Sequence, residues 1–340
     1  MPNTGGWPIL AATLAATTCI FATGVLRKRL IAAAVVDHSN ERSSHTGSVP
    51  RGGGLAFIAA SLATMAASIL VAGWSPDTAL TVAFAAIAVA AVGAIDDLHG
   101  LSAGVRLVVH LLAGTTLAWN CTRDNPLVGA GLLQLATSGL AITLATAWII
   151  NLTNFMDGID GLAASSATLI IAAAGAFAWL HGDTGLCIAC ASVSGAVTGF
   201  LPWNLSRTRR IFMGDVGSGF LGFAIAAALG LAWKAGAIGA ATAFILPAVL
   251  VTDATATLCV RALGGEQLTT AHRSHAYQHL AKRCGAHQPV TWLYSGVTVF
   301  WAIPIAVVSE ARTPSMSILM TCLAYGPLAV LAILLRAGRR

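Results

Sequence analysis

The chain alternates between long apolar stretches and short polar segments along almost all of its 340 residues. A helix needs about 20 mostly apolar residues to cross a hydrocarbon core about 30 Å thick, so each stretch predicts one membrane-spanning helix. Eleven such stretches fall at residues 7–26, 54–73, 78–95, 104–119, 137–152, 163–180, 185–201, 217–233, 236–252, 291–309 and 315–335. Several are rich in Ala and Gly, which suits close helix packing but blurs their boundaries, so a count of ten remains open.

Composition indicates the same class of protein. Hydrophobic residues make up 56% of the chain and charged residues only 9%, which excludes a soluble globular domain. We therefore predict an all-α, polytopic integral membrane protein in which residues 1–340 form a single membrane-embedded domain. Its active-site loops are expected near residues 27–53, 96–106, 153–162, 202–217 and 253–290.

Lys and Arg predict the orientation, because they favour cytoplasmic loops. If the N-terminus lies outside, only Arg123, Lys234 and Arg312 fall on the outer side, against sixteen basic residues on the other. Those sixteen are Arg27, Lys28, Arg29, Arg42, Arg51, Arg106, Arg207, Arg209, Arg210, Arg261, Arg273, Lys282, Arg283, Arg336, Arg339 and Arg340. The C-terminus is then cytoplasmic, and the net charge of +6 is mostly a topology signal that does not indicate nucleic-acid binding.

Carboxylates gather at the predicted cytoplasmic ends of the helices. Asp96 and Asp97 end the third stretch, Asp157 and Asp160 follow the fifth, and Asp215 precedes the eighth. A charged side chain near hydrocarbon costs roughly 2.5 to 3.5 kcal/mol on insertion scales, so a group of acids at one membrane face indicates a functional site. These residue types suit a magnesium and phosphate centre.

The two kinds of helix end differ in what a carboxylate does there. Negative charge at a helix C-terminus opposes the macrodipole, so helix stability alone does not explain Asp96 and Asp97. Asp215 instead begins a helix, where free N–H groups and a carboxylate suit a hydrated Mg²⁺ that carries phosphate oxygens. The arginines that precede Asp215 are explained equally well as topology anchors.

Two further segments offer groups that could bind a polar ligand. Asn154, Asp157 and Asp160 follow one another at helical spacing, which would bring consecutive members onto one face to bind a sugar, a base or a cation. Helix capping is the competing explanation for one of these acids. In residues 37–54, the glycines before the second stretch predict either an anion-binding turn or a flexible hinge.

The largest predicted cytoplasmic loop, residues 253–290, contains several histidines. If residues 272–283 are helical, His272, His275 and His279 share one face. The basic neighbours of this face disfavour zinc and favour an anion as its ligand.

The motifs occur in an order that resembles a known family. D-D at 96–97, N-x-x-D-G-x-D-G-L from Asn154, F-M-G-D-x-G-S around Asp215 and the late His-rich loop resemble the polyprenyl-phosphate N-acetylhexosamine-1-phosphate transferases. This is glycosyltransferase family 4, the superfamily of MraY and WecA, and the chain is most similar to its WecA-like and WbpL-like branch, which initiates O-antigen. The resemblance covers nearly the whole chain. The first cytoplasmic loop also fits it through His45, Gly47, Pro50, Gly53 and Gly54.

The resemblance implies a reaction. A sugar 1-phosphate of N-acetylhexosamine type would pass from a UDP-sugar to undecaprenyl phosphate, with release of UMP, in the inner membrane of a bacterium. The active site would face the cytoplasm, require Mg²⁺ or Mn²⁺ and begin O-antigen or another envelope glycan. The sugar stays open among GlcNAc, GalNAc, FucNAc and QuiNAc, and a homodimer is an open option.

The resemblance also implies roles for single residues. Asp215 would bind Mg²⁺ with Asp96 or Asp97, and Asp97 would accept a proton from the lipid phosphate. The late loop departs from the H-x-H-H pattern that is common in the family, so its pyrophosphate contact is open among its histidines, with Arg273, His275 and His279 preferred. Candidates for binding the nucleotide or sugar are His45, Asn154, Asp157, Asp160 and Asn204.

Three alternatives stay open at this stage. Within the family, the protein could be the phospho-MurNAc-pentapeptide transferase of peptidoglycan synthesis. A secondary transporter would also place polar groups in a helical bundle, but the chain lacks the inverted repeats and mid-membrane acids of that class. A scaffold protein without catalytic activity would retain its function after loss of all the motif acids.

Overall fold

The computed structural model describes residues 6–38, 48–72, 74–123, 125, 131–267, 272–310 and 313–339. Its helices are α1 (Trp7–Ala32), α2 (Gly54–Ala72), α3 (Pro76–His99), α4 (Ala103–Thr122), α5 (Leu132–Phe155), α6 (Leu162–Leu180), α7 (Thr184–Asn204), α8 (Gly214–Lys234), α9 (Ala240–Ile245), α10 (Ala248–Leu263), α11 (Ala276–Cys284), α12 (Gln288–Val297), α13 (Ile303–Glu310) and α14 (Pro314–Leu334). A π-helical turn, Thr298–Ala302, makes α12 and α13 one continuous apolar segment.

The helices confirm the predicted class of an all-α, multi-pass membrane protein. Within the described residues, eight helical segments are long and apolar enough to cross a membrane. They are Trp7–Ala32, Pro76–His99, Leu133–Phe155, Leu162–His181, Thr184–Asn204, Gly214–Lys234, Gln288–Glu310 and Pro314–Leu334. The count of eleven spans and the outside position of the N-terminus stay predictions.

One predicted helix is wrong as a single element. The apolar stretch 236–252 breaks at Leu246 and Pro247, where α9 ends and α10 begins. Proline lacks the N–H that would continue the helix, and its ring clashes with the carbonyl four residues before it. Because α10 then runs on to Leu263, Asp253 lies inside a helix and not at the start of a loop.

A short hairpin forms in the first polar loop, where no strand was predicted. β1 (Val36–His38) pairs antiparallel with β2 (Ser48–Pro50), and the next residue, Arg51, forms a parallel bridge with Phe212. His45 lies outside the described residues. The hairpin therefore connects the loop before α2 to the loop before α8.

The glycines before α2 do not form the predicted anion-binding turn. The amides of Gly53 and Gly54 donate to the carbonyls of Phe212 and Met213, at 2.8 and 2.9 Å. These amides are therefore already hydrogen-bonded to the loop before α8. A Cβ on Gly54 would lie only 2.4 Å from the Cα of Gly217. Glycine is needed here because the first turns of α2 and α8 touch through their backbones.

Helix α8 lies in the middle of the bundle and packs against α2, α3, α5 and α6. Small residues allow this close approach: a Cβ on Gly93 of α3 would lie 2.4 Å from the carbonyl oxygen of Asp215, and one on Gly222 would lie 2.5 Å from the Cα of Ile150 in α5. The C-terminal ends of α3 and α5 and the N-terminal ends of α2 and α8 therefore meet at one end of the bundle.

Candidate active site

Three acids from two helices meet at this end of the bundle and share two arginines. Arg51 lies between Asp97 and Asp215: its Nε is 2.7 Å from Oδ1 of Asp97 and its Nη2 is 2.8 Å from Oδ1 of Asp215. Arg106, in the first turn of α4, pairs with Asp96 and lies 3.4 Å from Oδ2 of Asp215. The structure thus brings together the predicted residues Asp96, Asp97 and Asp215.

The Asp97 carboxylate caps the N-terminus of another helix, α8. Its Oδ1 accepts the amide of Asp215 at 2.9 Å, and its Oδ2 accepts the amide of Val216 at 3.1 Å. A carboxylate at this position satisfies two free N–H groups of α8 and interacts favourably with the helix dipole. A Cβ on Gly214 would lie 2.4 Å from the carboxylate, so the adjacent position admits only glycine without a shift.

This geometry differs from the predicted role of Asp97. Both of its oxygens already accept backbone N–H groups, one of them also accepts Arg51, and the side chain is 7% exposed. The carboxylate is therefore poorly placed to take a proton or to join a metal shell. Among the residues that the structure describes, no three His, Cys, Asp or Glu side chains surround a common metal position.

Asp96 and Asp215 offer a better pair of oxygens for a cation. Arg106 lies between the two carboxyl groups, since it pairs with Asp96 and is 3.4 Å from Oδ2 of Asp215, and neighbouring carboxylates repel unless they share a proton or a cation. Mg²⁺ usually takes one or two carboxylates and completes its shell with water and substrate phosphate. The donor set therefore fits Mg²⁺ through two protein carboxylates and not through three.

Asp157 lies in a turn and not on a helix, so the predicted shared helical face of Asn154, Asp157 and Asp160 is wrong. Helix α5 ends at Phe155, because the glycines at 158 and 161 favour a turn. Asn154 is still in α5, and its amide nitrogen donates to the hydroxyl of Ser218 at 3.0 Å.

The charges of neighbouring acids act on Asp157. Burial raises the pKa of the Asp157 carboxyl well above its usual range. The charge of Asp215 raises it further, Arg51 opposes this effect, and Asp97 and Asp160 add to it. Asp157 therefore belongs to the same electrostatic site as Asp97 and Asp215.

Asp160 and Asn204 hold the turn in place. Oδ2 of Asp160 lies 3.1 Å from Nη2 of Arg210 and 3.0 Å from Nδ1 of His287. Asn204 accepts the amide of Gly161 at 2.6 Å and donates to the carbonyl of Ile211 at 3.0 Å. Because these contacts use the polar atoms of Asn204, it connects two loops here and does not face a ligand as predicted.

The late loop is only partly helical, so its three histidines do not share one face as predicted. Helix α11 begins at Ala276, which leaves His272 before the helix and His275 at its boundary. The His275 ring is 2% exposed and stacks between His272 and Tyr277, with centroid distances of 4.9 and 5.5 Å.

The residues that were predicted to contact the pyrophosphate lie in different surroundings. Nε2 of His279 lies 3.2 Å from the carbonyl oxygen of Arg339, and Arg273 is exposed. Burial, followed by the charges of His275 and Arg261, lowers the pKa of His272 to about 4, so this ring is neutral at pH 7. Of the preferred set, Arg273 is exposed, whereas His275 is buried.

Asp253, which the sequence analysis did not select, positions α11. Its Oδ1 accepts the amide of Ala276 and its Oδ2 the amide of Tyr277, both at 2.9 Å. The hydroxyl of Tyr294 donates to Oδ2 at 2.6 Å, and Nδ1 of His275 lies 3.6 Å from Oδ1. This buried carboxylate caps the N-terminus of α11, as Asp97 caps that of α8. An acid inside the apolar run V-L-V-T-D-A-T-A-T was the signal that could have identified it.

Tyr277 connects α11 to the turn that carries Asp157. Its hydroxyl donates to the carbonyl of Phe155 at 3.0 Å, and the side chain is fully buried. A Cβ on Gly158 would lie 2.0 Å from this hydroxyl oxygen, so the turn packs directly on the tyrosine. The late loop therefore contacts the turn that carries Asp157 through Tyr277.

Replacing Tyr277 with Phe tests this connection. We expect the KM for the nucleotide donor to rise about three- to tenfold, because the turn loses one hydrogen bond worth about 1 kcal/mol. The measurement is steady-state kinetics of the purified protein with the donor varied. Tyr325→Phe is the matched control, since the Tyr325 hydroxyl also donates to a backbone carbonyl, that of Phe244 at 2.7 Å, on distant helices. Equal kinetics of the two variants would contradict the role of Tyr277.

Comparison with known proteins identifies the family. The profile described as "Glycosyl transferase family 4" matches residues 79–232. The decaprenyl-phosphate N-acetylglucosaminephosphotransferase of Mycobacterium tuberculosis is 31% identical over 97% of this chain and 89% of that protein. The protein of the same name from Mycolicibacterium smegmatis is 36% identical over 64% of this chain, which spans only 58% of that relative. The undecaprenyl-phosphate alpha-N-acetylglucosaminyl 1-phosphate transferase of Escherichia coli strain K12 is 29% identical over 74% and 70%.

The apolar helices make this a membrane protein, and the family model and relatives make it a membrane-embedded transferase. More particularly, the chain belongs to glycosyl transferase family 4. The family predicted from the motifs is confirmed.

Proposed function

We propose that the protein transfers N-acetylglucosamine 1-phosphate from UDP-N-acetylglucosamine to a polyprenyl phosphate, with release of UMP. The observation that carries this proposal is the meeting of Asp96, Asp97 and Asp215 with Arg51 and Arg106 at one end of an apolar bundle. Phosphoryl transfer needs positioned cations more than covalent chemistry, and this site supplies both acids and fixed guanidinium groups. The names of the relatives support the same donor and acceptor.

The location of the site suits substrates from two phases. A polyprenyl phosphate keeps its tail in the bilayer and its phosphate at the interface, whereas a nucleotide sugar is soluble and reaches only that interface. The excess of Lys and Arg on one side supports a site that faces the cytoplasm, in the cytoplasmic membrane of a bacterium. In this setting the reaction would begin an envelope glycan such as O-antigen.

Different residues of the site have different roles in this proposal. Asp96 and Asp215 would hold Mg²⁺, which when bound neutralises charge on the phosphates. Asp97 orients the first turn of α8 and thereby Asp215. Asn154, whose amide donates to Ser218 in the first turns of α8, and Asp157 are the candidates for the sugar or the base. No general base is required, because a phosphate with a second pKa near 6 is mostly deprotonated at neutral pH.

The test is a defined reaction of the purified protein with undecaprenyl phosphate, Mg²⁺ and single UDP-sugars, followed by the release of UMP. We expect turnover with UDP-N-acetylglucosamine and its loss in excess chelator, with recovery when Mg²⁺ or Mn²⁺ is restored. Turnover with UDP-MurNAc-pentapeptide instead would assign the protein to the peptidoglycan branch. Absence of UMP with every donor would reject the proposal.

A further inference from the structure

The residues that follow α14, residues 335–339, fold back onto the late loop, and we call them the return segment. Helix α14 ends in a turn in which the amide of Ala337 donates to the carbonyl of Ala332 at 3.0 Å and that of Arg336 donates to the carbonyl of Ile333 at 2.9 Å. Arg336 has a left-handed φ of 65°, a conformation that glycine usually takes at the end of a helix. The turn directs the next residues toward α10 and α11.

Two small residues of the return segment pack against the neighbouring helices. Ala337 is 1% exposed and lies in a small apolar cluster with Ala276, the first residue of α11, and Ala332 of α14. A Cβ on Gly338 would lie 2.7 Å from the Cβ of Val260 in α10, and Gly338 has a φ of +78°. Position 338 therefore requires glycine both for space and for its backbone conformation.

The backbone of the return segment holds the late loop at two points. The amide of Gly338 donates to the carbonyl of Ser274 at 2.6 Å, and Nε2 of His279 lies 3.2 Å from the carbonyl oxygen of Arg339. Because a carbonyl can only accept, His279 donates from Nε2 in this contact. One contact is made just before α11 and the other within it, so the return segment fixes the start of this helix.

Arg273 lies directly beside the first of these points. Residues 272–275 precede α11 and lie outside any helix or strand. Ser274 is buried, and its hydroxyl lies 3.1 Å from Nδ1 of His272. Both chain neighbours of Arg273 are therefore held in place, while the Arg273 side chain is exposed.

We propose that the return segment is a positioning element of the active site, and that Gly338 holds the late loop so that Arg273 binds the phosphates of the nucleotide donor. This inference rests on the proposed function for the donor and its phosphates. A guanidinium group binds phosphate oxygens in a bidentate geometry, which requires a defined position of its backbone. Gly338 touches no substrate and acts through the carbonyl of Ser274.

Replacing Gly338 with Ala tests the proposal. The added methyl group would meet Val260, and alanine disfavours the left-handed conformation, so residue 338 must move and its hydrogen bond to Ser274 is lost. We expect the KM for the donor to rise about five- to tenfold, as for one lost hydrogen bond, while kcat stays within about twofold. A variant that was only less stable would instead lose kcat with the folded fraction and keep the parental KM.

Limited trypsin digestion gives a second measurement that requires no activity. Trypsin cleaves after an arginine when the surrounding backbone opens, so cleavage after Arg273 reports release of the late loop. The rate should increase about tenfold in Gly338→Ala, because the open form loses less on opening. Gly182→Ala is the matched control, since Gly182 also has a positive φ, +89°, but a Cβ there would have no atom of the described residues within 4 Å. The control should keep the parental KM and cleavage rate.

A chain shortened to end at Ala337 is the second variant, because it removes the Gly338 amide without adding a side chain. It should show the same rise in KM and in cleavage after Arg273. Its control is the double substitution Arg339→Gln and Arg340→Gln, which removes the same charges but keeps the backbone and should behave as the parent. Parental KM and parental cleavage rates in both Gly338→Ala and the shortened chain would overturn the inference.

The outcomes separate this inference from the proposed function. Faster cleavage after Arg273 in the variants, without sugar-phosphate transfer by the parent, would support the hold of the return segment on the late loop and reject the reaction. Transfer by the parent, with an unchanged donor KM in both variants, would support the reaction and reject the positioning role of Gly338.

Discussion

Replacing Asp215 with Asn is expected to reduce sugar-phosphate transfer about a thousandfold or more, a loss typical of removing a charged group that stabilises a transition state. The carboxylate contacts Arg51 and Arg106, and Arg106 also pairs with Asp96, so one substitution unbalances the charges of all three partners. It also removes one of the two proposed ligands of Mg²⁺. The measurement is UMP release by membranes that contain equal amounts of parent and variant protein.

Asp77→Asn provides the control for this result. Asp77 lies in the first turn of α3, is exposed and pairs with Arg123, so it carries an acid and arginine pair far from the site. The control should retain parental activity. Activity of the Asp215→Asn variant near the parental level at ordinary Mg²⁺ concentrations would remove Asp215 from the proposed metal site.

Replacing Asp253 with Ala is the second change with a large expected effect. Two amides of α11 and the hydroxyl of Tyr294 lose their acceptor, and each buried polar group left without a partner costs about 1 to 3 kcal/mol. Detachment of α11 from α10 lets water reach these groups, and it costs less free energy than keeping them buried without a partner. We expect transfer to decrease about a hundredfold, because misplacement by about 1 Å has that effect on an aligned site.

Hydrogen exchange distinguishes local detachment from global unfolding. In Asp253→Ala, amides of α11 should exchange at least about tenfold faster, while those of α8 should stay protected. Asp183→Ala is the matched control, since Asp183 also accepts a helix amide, that of Leu186 at 2.9 Å, at the start of α7. The control should cost about 1 kcal/mol of stability without loss of transfer by the folded protein. Uniformly faster exchange in the Asp253 variant would indicate unfolding instead.

Much of the fold was predictable because a membrane imposes one simple requirement. Apolar stretches of sufficient length must become helices, since lipid offers no partner for free backbone groups. The break at Pro247 could also have been predicted, because a proline inside an apolar stretch usually ends or kinks a helix. The hairpin of residues 36–38 and 48–50 could not, because its strands are three residues long and carry no periodic pattern.

The acidic residues of the site were predictable from the sequence, and its arginines were less so. Asp96, Asp97 and Asp215 stand out because carboxylates are rare in such a chain. Arg51 and Arg106 were counted only among the basic residues that predict the orientation, because charge counts do not reveal which arginine folds back onto an acid a hundred residues away. His275 was assigned to a ligand by its residue type, whereas its burial against Asp253 depends on where α11 begins.

Asp97 and Asp253 each complete the first turn of a helix that follows them in the chain, and this has a consequence for biosynthesis. Helix α3 precedes α8 in the chain and α10 precedes α11, so each acid is synthesised before the helix amides that it accepts. Each then carries a cost that only the later segment removes. A chain that stops before residue 276 thus lacks the two amides and the tyrosine hydroxyl that Asp253 accepts, so its carboxylate stays without these donors until the last third of the bundle is complete.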